Sequence, residues 1–262
     1  MLTRAGTGQR LRGTGHWVRA ALVSTVLLYL WLQLPEAGSI PWIRGYGHGT
    51  YDGIVYSVPV ETKVVAITFD DGPDPEVTPA VLEALRKHSV RCTFFLTGVV
   101  AVKYADVARQ VAADGHEIAS HGYSHRALRG VSAETVRREL DRSEAVLERV
   151  LGVRPTLFRF PYLVHDEVSL RIVQSRGYTV IRCSLDSRDW LTPDARRLAS
   201  RVCGLIKPGD IVLMHDAAGQ KGEKMKEALD IILEWLHENG YRCVTVSELI
   251  RMGAETGDGA GP

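Results

Sequence analysis

The sequence predicts an α/β protein built on a mostly parallel sheet, with its chemistry gathered where the strands end. Three observations carry this. Short apolar runs rich in β-branched and aromatic residues alternate with longer amphipathic stretches, the order that produces strand, helix and parallel strand in turn. Helical stretches repeatedly close on a glycine that precedes an apolar run, at Gly115, Gly152, Gly177 and Gly240; glycine just past a helix is the common left-handed cap. Five of the apolar runs stop at titratable or metal-capable residues, and parallel α/β folds collect their sites at the carboxyl ends of strands. The alternation fits a closed barrel or an open, doubly wound sheet. A barrel lets all five run ends meet at one mouth.

The chain has 262 residues, 45% hydrophobic and 24% charged, enough for one large core. Its formal net charge of +1 gives no electrostatic preference for nucleic acid or anionic lipid. No nucleic-acid partner is expected. At the N-terminus, Arg4, Arg10, Arg12 and Arg19 precede an apolar run over 20–32. A spanning helix wants about 20 apolar residues and a signal h-region about 7–15. Residues 1–37 therefore read as a cytoplasmic basic start plus a signal peptide, or as a signal anchor if Val18 and Leu34 extend the run. The protein is expected to be extracytoplasmic, secreted or held by this segment alone.

Residues 38–61 contain Gly, Tyr and Pro with no helical period and read as a linker. The first strand, 64–69, is apolar and ends abruptly at Asp70-Asp71-Gly72-Pro73. Two adjacent carboxylates at the end of a buried strand repel each other and cost desolvation unless a cation or hydrogen bonds compensate. A plain turn is the alternative for this stretch, since Asp, Gly and Pro are turn residues. Six more runs follow, at 92–96, 117–120, 156–158, 179–185, 211–214 and 242–246. Between them, Val136, Leu140, Leu147 and Leu151 mark one face of a helix starting near Ser132, and Ile231, Ile232, Trp235 and Leu236 do so before Gly240. A domain over 62–252 results, with a Gly-rich tail at 253–262 expected to be disordered. Cys92, Cys183 and Cys243 fall in strand-like runs and Cys203 in a helix. They read as buried free thiols, a disulfide being the minor alternative.

The chemistry at the run ends is varied. It comprises Asp70-Asp71, then His121 with His125, then Arg159 to Tyr162, then Asp186 to Trp190, then His215-Asp216. Two histidines four apart, read as one helical turn, plus a carboxylate from another strand end make a three-ligand site with open positions, the pattern of catalytic zinc. Such an ion activates water near neutral pH and polarises a carbonyl. His16, His48, His88, His116, His165 and His237 have no comparable setting and read as surface or core histidines.

These residues resemble, in order, the five motifs of the NodB-homology polysaccharide deacetylases, carbohydrate esterase family 4, and among them the sporulation-type bacterial subgroup. TFDDGP at 68–73, His121 with His125, Arg159 with Tyr162, 186–190 and LMHD at 213–216 carry the resemblance over roughly 62–250. It implies a distorted (β/α) barrel of about seven parallel strands with the site at their C-terminal ends. It also implies metal-dependent removal of N-acetyl or O-acetyl groups from a glycan. Asp71, His121 and His125 would hold one divalent metal, zinc by preference, with cobalt, nickel or manganese as alternatives. Asp70 would be the general base, held by Arg159, and His215 the general acid, oriented by Asp189. The Tyr162 N–H would help form the oxyanion hole, and Trp190 and Leu213 would line the acetyl-methyl pocket. The third motif departs from the family pattern at Phe160 and Leu163, where proline and glycine are usual; Phe160 is expected to add bulk near the groove.

The resulting expectation is a monomeric, exported hydrolase acting on GlcNAc- or MurNAc-containing polymers, peptidoglycan or chitin-like. The rivals are an O-acetyl xylan esterase on the same scaffold, a non-catalytic glycan-binding module, and a structural envelope protein held by 17–34.

Overall fold

The computed structural model describes residues 49–217 and 219–257. They begin with an antiparallel hairpin, β1 (Thr50–Tyr51) and β2 (Ile54–Val55), turned by Asp52 and Gly53 at φ of 53° and 71°, the two left-handed positions of a type I′ turn. β2 then joins the main sheet parallel to β7 (Thr179–Ile181), and Ile54, Val55 and Val58 are buried. The described part of 38–61 is therefore not a linker. Strands of two residues carry no readable period, so composition alone spoke there.

The chain continues as β3 (Val64–Asp70), α1 (Val77–Lys87), β4 (Thr93–Leu96), α2 (Gly98–Lys103), α3 (Ala105–Ala113) and β5 (Glu117–Ser120). Next come α4 (Ala133–Leu151), β6 (Leu157–Phe158), a 3-10 turn (Pro161–Leu163), α5 (Glu167–Ser175), β7 and β8 (Leu185–Asp186). It closes with α6 (Ala195–Leu205), β9 (Ile211–His215), α7 (Gly222–Glu238), β10 (Arg242–Cys243) and α8 (Val246–Gly257). The strands lie in the order β1-β2-β7-β6-β5-β4-β3-β9-β8, with β10 on β3, and every pairing after the hairpin is parallel.

The run 179–185 is two strands rather than one. β7 pairs with β6 and β2, whereas β8 pairs with β9 at the far end of the order. Within three residues the chain passes from one edge to the other: the Arg182 N–H donates to the Val55 carbonyl and the Ser184 N–H to the Ile211 carbonyl. A chain that leaves one edge and enters the other draws the two together, and the curled sheet is a distorted (β/α) barrel.

β3 is its central stave, with all seven residues buried, as in a parallel strand covered on both faces. Its side chains alternate. Val65, Ile67 and Phe69 pack outward against Val81, Leu85, Met225 and Leu229 of α1 and α7. Val64 and Ala66 face inward with Phe95, Ala119, Ile181 and Ile211. The same period carries Thr68 and Asp70 to the interior. Helix ends follow local chemistry: Ser132 Oγ accepts from the Thr135 N–H at the start of α4, and Gly152 ends it at φ 67°. His116 is a core histidine whose Nδ1 accepts from the Cys92 N–H; burial pushes its pKa down to about 4.

α8 corrects the expected tail. Residues 253–257 continue the helix that buries Val246 and Leu249 and packs Ile250 and Met252 on the inner core. Gly253 sits so close to Val58 that a Cβ would collide with it. The export segment, His16, His48 and 258–262 lie outside the described residues. Among the described residues no helix is long and apolar enough to cross a membrane.

Candidate active site

β3 delivers Asp70 into the barrel mouth, where it is 3% exposed. Its Oδ1 accepts from Arg159 Nη1 at 2.6 Å. Arg159 is wholly buried and arrives from the end of β6. Its Nη1 also donates to Thr68 Oγ1 at 2.8 Å, its Nη2 to the Arg182 carbonyl at 2.9 Å, and its guanidinium lies 4.0 Å from the Phe95 ring centre. A guanidinium this deep needs such partners, because an unpaired buried charge is strongly destabilising.

After Asp70 the backbone swings through Asp71 at φ 73° into Gly72. Glycine is required at 72 because a Cβ there would fall on the carboxylate of Asp216. Asp216 follows β9, is wholly buried, and accepts from Thr78 Oγ1 at 2.6 Å. Burial pushes its carboxyl up to about 7, against the Thr78 hydrogen bond. Its N–H donates to the Asp70 carbonyl at 3.3 Å.

His121 and His125 follow β5 on a loop and not on a helical turn. Gly122 and His125 take φ of 77° and 58°, and the loop is pinned by Glu139 of α4. Its Oε2 accepts from the N–H groups of Tyr123 and Ser124, and its Oε1 from Ser124 Oγ. The spacing of four works because the loop doubles back, bringing the rings to 5.1 Å. His121 Nδ1 lies 2.8 Å from the Arg159 carbonyl. A carbonyl only accepts, so Nδ1 carries the proton and Nε2 keeps its lone pair for the mouth. There Asp71 Oδ1 lies 3.2 Å from His121 Nε2 and 2.8 Å from His125 Nε2.

Ligand atoms of the three residues all fall within 4.8 Å of one another. Asp71 Oδ1 is buried without a well-formed hydrogen bond. Burial opposes ionisation of Asp71, but the two imidazoles outweigh it and hold the carboxyl well below the usual carboxylate range. A carboxylate facing two imidazole nitrogens fits a divalent cation, and an Asp/His₂ donor set with room for water suits zinc.

The segment after β6 holds a surprise. Phe160 does not crowd the groove: it is buried in the outer core, edge-on to Phe158 at 5.0 Å. The alternation that turns Arg159 inward sends its neighbour outward. Tyr162 and Leu163 both adopt left-handed backbone, φ 58° and 56°. The N–H groups of Leu163 and Val164 close the turn onto the carbonyls of Phe160 and Pro161, an arrangement that does not use the Tyr162 N–H. Arg182 Nη2 donates to the Leu163 carbonyl at 2.8 Å. The Tyr162 ring stands over His125, 4.6 Å between centres, and is 66% exposed.

On the far side, Asp189 is wholly buried and clamps His215 twice. Oδ2 accepts from the His215 backbone N–H at 2.7 Å, and Oδ1 pairs with Nδ1 at 2.8 Å. Burial alone would lower the His215 pKa, but the hydrogen bond and charge of Asp189, with the charges of Asp70 and Asp71, push it up to about 9. Lys224 Nζ holds the Asp189 carbonyl at 2.8 Å.

Asp70, Asp71, His121, His125, Tyr162, Leu163, Asp186, Trp190, Leu213 and His215 thus line one cavity of about 600 Å³, with Ala217 and Gln220 at its rim. Arg159 and Asp189 stand behind it. Sequence reasoning gave no role to Thr68, Glu139, Asp216 or Lys224. Glu139 was legible in principle, since it shares the apolar face of α4 with Val136, Leu140 and Ser143.

Comparison with known proteins places this geometry. The polysaccharide deacetylase family profile matches residues 57–181. A peptidoglycan-N-acetylglucosamine deacetylase of Bacillus cereus is 33% identical over 214 residues, 82% of this chain and 76% of the relative. A chitooligosaccharide deacetylase of Azorhizobium caulinodans is 39% identical over 155 residues, 58% of this chain and 73% of the relative. A crystal structure of a peptidoglycan N-acetylglucosamine deacetylase bound to a naphthalenyl N-hydroxybenzamide superposes with a TM-score of 0.73 at 34% identity, covering 76% of this chain and 93% of that one. With the barrel and these relatives in agreement, the chain belongs to the polysaccharide deacetylase family.

Proposed function

We propose that this protein is an exported, metal-dependent N-deacetylase of GlcNAc- or MurNAc-containing polysaccharide, peptidoglycan or a chitin-like chain. The observation that carries the reading is one cavity holding three metal-capable residues between an arginine-held carboxylate and an aspartate-clamped histidine. Asp71, His121 and His125 would hold a single divalent cation, zinc by donor type. When bound, that ion polarises the acetyl carbonyl and lowers the pKa of water.

The chain's own groups do the rest. Asp70, held in its buried setting by Arg159, takes the proton from the attacking water. The Tyr162 N–H, presented by the left-handed turn, donates to the oxygen that gains charge. His215 is held protonated by Asp189 and gives its proton to the leaving amine, without which an amide does not cleave. Trp190 and Leu213 bound the space for the acetyl methyl. The catalytic domain would comprise the described residues, hairpin included, with 1–37 directing export and the protein acting as a monomer. The test is acetate release from peptidoglycan, chitooligosaccharides and acetylxylan, with zinc, cobalt or chelator. Chelator-sensitive release from an N-acetylated polymer supports the proposal. Release from acetylxylan alone identifies an O-acetyl esterase, and no release from any polymer a non-catalytic glycan binder.

A further inference from the structure

β4 and β10 share one column beside β3. Val64 and Val65 pair with Arg242 and Cys243, and farther along the same side Thr68 to Asp70 pair with β4, while β9 takes the other side. β10 therefore ends where β4 begins. In this column Cys243 stands opposite Val65, and Cys92, one residue before Thr93, stands level with Ile67. Two strand steps separate them, about 6.6 Å, within the Cα span that a disulfide bridges. The two-residue period turns both toward the face bearing Val65 and Ile67, and both pack in that outer cluster.

Their sulfurs lie 4.0 Å apart. Cys92 is fully enclosed, whereas Cys243 opens on a cavity of about 330 Å³ at the strand starts, lined also by His88, Arg91, His237 and Tyr241. This is the end of the barrel away from the deacetylase cavity. We propose that Cys92 and Cys243 are a redox pair that closes to a disulfide, tying the C-terminal β10–α8 segment to β4. The oxidant is a small or protein disulfide, RSSR. The Cys243 thiolate attacks one of its sulfurs through the open cavity, forming a mixed disulfide and expelling one thiolate. Cys92 then loses its proton and attacks the Cys243 sulfur, expelling the second. Two protein thiols become one disulfide and RSSR becomes two RSH. The order follows from the environment: burial pushes the Cys92 thiol up, while its hydrogen bond to Cys243 draws the Cys243 thiol down. Cys183 and Cys203 offer no second pair, for neither faces another cysteine in the described residues.

The full chain, folded and reduced, is equilibrated with oxidised glutathione, quenched with acid, denatured and analysed by thiol titration and non-reducing peptide mass mapping. The expected result is a fall from four free thiols to two, with one linked peptide pair containing Cys92 and Cys243 and lighter by two hydrogens. In Cys92→Ser the first step remains without the second, so a single glutathionyl adduct accumulates on Cys243. Four persistent thiols in the wild type, a stable glutathionyl adduct on its Cys243, or a link through Cys183 or Cys203 would each overturn the proposal. The wild-type measurement stands whether or not the variant folds.

Discussion

Asp189→Asn is expected to shift the titration of His215 downward without touching the three metal-capable residues. The carboxylate is wholly buried and meets the imidazole at 2.8 Å, so solvent screens the pair poorly. All three groups facing the Asp189 carboxylate, the His215 N–H, its Nδ1–H and the Trp190 N–H, are donors; an asparagine would oppose at least one of them with its own NH₂ and would carry no charge. Removing an opposite charge at this range shifts a pKa by about 1–3 units. The wild-type value of about 9 lies above the ordinary 6.5, so the folded state favours the charged ring. Its contribution to stability is fully present below pH 6.5 and is lost as the pH rises through 9. Over that window it amounts to about 3 kcal/mol, at about 1.4 kcal/mol per unit. A bound cation would offset the charges of Asp70 and Asp71 and draw the value down, so the clean measurement is on chelated protein. NMR titration of the histidine ring should place the wild-type midpoint near 9 and that of Asp189→Asn at least one unit lower. Urea melts of the wild type should lose stability from pH 6.5 to 9, and those of the variant should stay flatter. In the loaded enzyme the alkaline limb of activity should move to lower pH. A variant midpoint equal to that of the wild type would show that Asp189 does not govern His215.

Four further outcomes follow from the geometry. The wild type should bind about one zinc or cobalt ion per chain, and Asp71→Ala and His121→Ala should each lose that binding while circular dichroism shows the fold retained; full occupancy in both would remove these residues from the site. Arg159→Met should lower stability by about 3–5 kcal/mol in denaturant melts, because it strands the buried Asp70 carboxylate; a melt like that of the wild type would make the ion pair structurally idle. Gly72→Ala should lower the melting temperature and metal affinity together, and Asp216→Ala added to it should restore part of both, since the clash is between those two positions; an unrescued double variant would place the damage elsewhere. Leu163→Gly should stabilise by about 1–2 kcal/mol by removing a left-handed non-glycine residue while widening the cavity, which raises kcat/KM most for bulky glycans; a uniform rise across substrates would leave Leu163 without a part in specificity.

Much of the site could be read from the chain because strand ends announce themselves. β3 is apolar at five of its first six positions and then runs into two aspartates, and the strand period already sends Asp70 inward with Thr68. Other features depend on partners that no local pattern names. The break at 182–184 exists because the two sheet edges need the same segment, one through Val55 and the other through Ile211. Phe160 was misplaced for a simpler reason: its neighbour in the motif points into the site, and strand alternation requires that it point away. The separation of four between His121 and His125 is spanned by a loop and not by a helical turn. Gly122 signalled a loop, but a separation of four suggests a helix unless the loop's anchor, Glu139, is known.

The pairing of β3 has a consequence for how the chain acquires its structure. Its central strand waits for both distant partners: residue 64 pairs with residue 242 and residue 66 with residue 211. The early half of the chain can form β4 beside β3, but it leaves the other edge of β3 bare. Such long-range closure slows folding, since chain entropy must be surrendered before the contacts that reward it exist. During synthesis the barrel cannot close until α7 and β10 have emerged, so the nascent chain carries an exposed apolar strand for most of its length. The segment from β9 to β10, residues 211–243, therefore sets the moment at which the barrel closes.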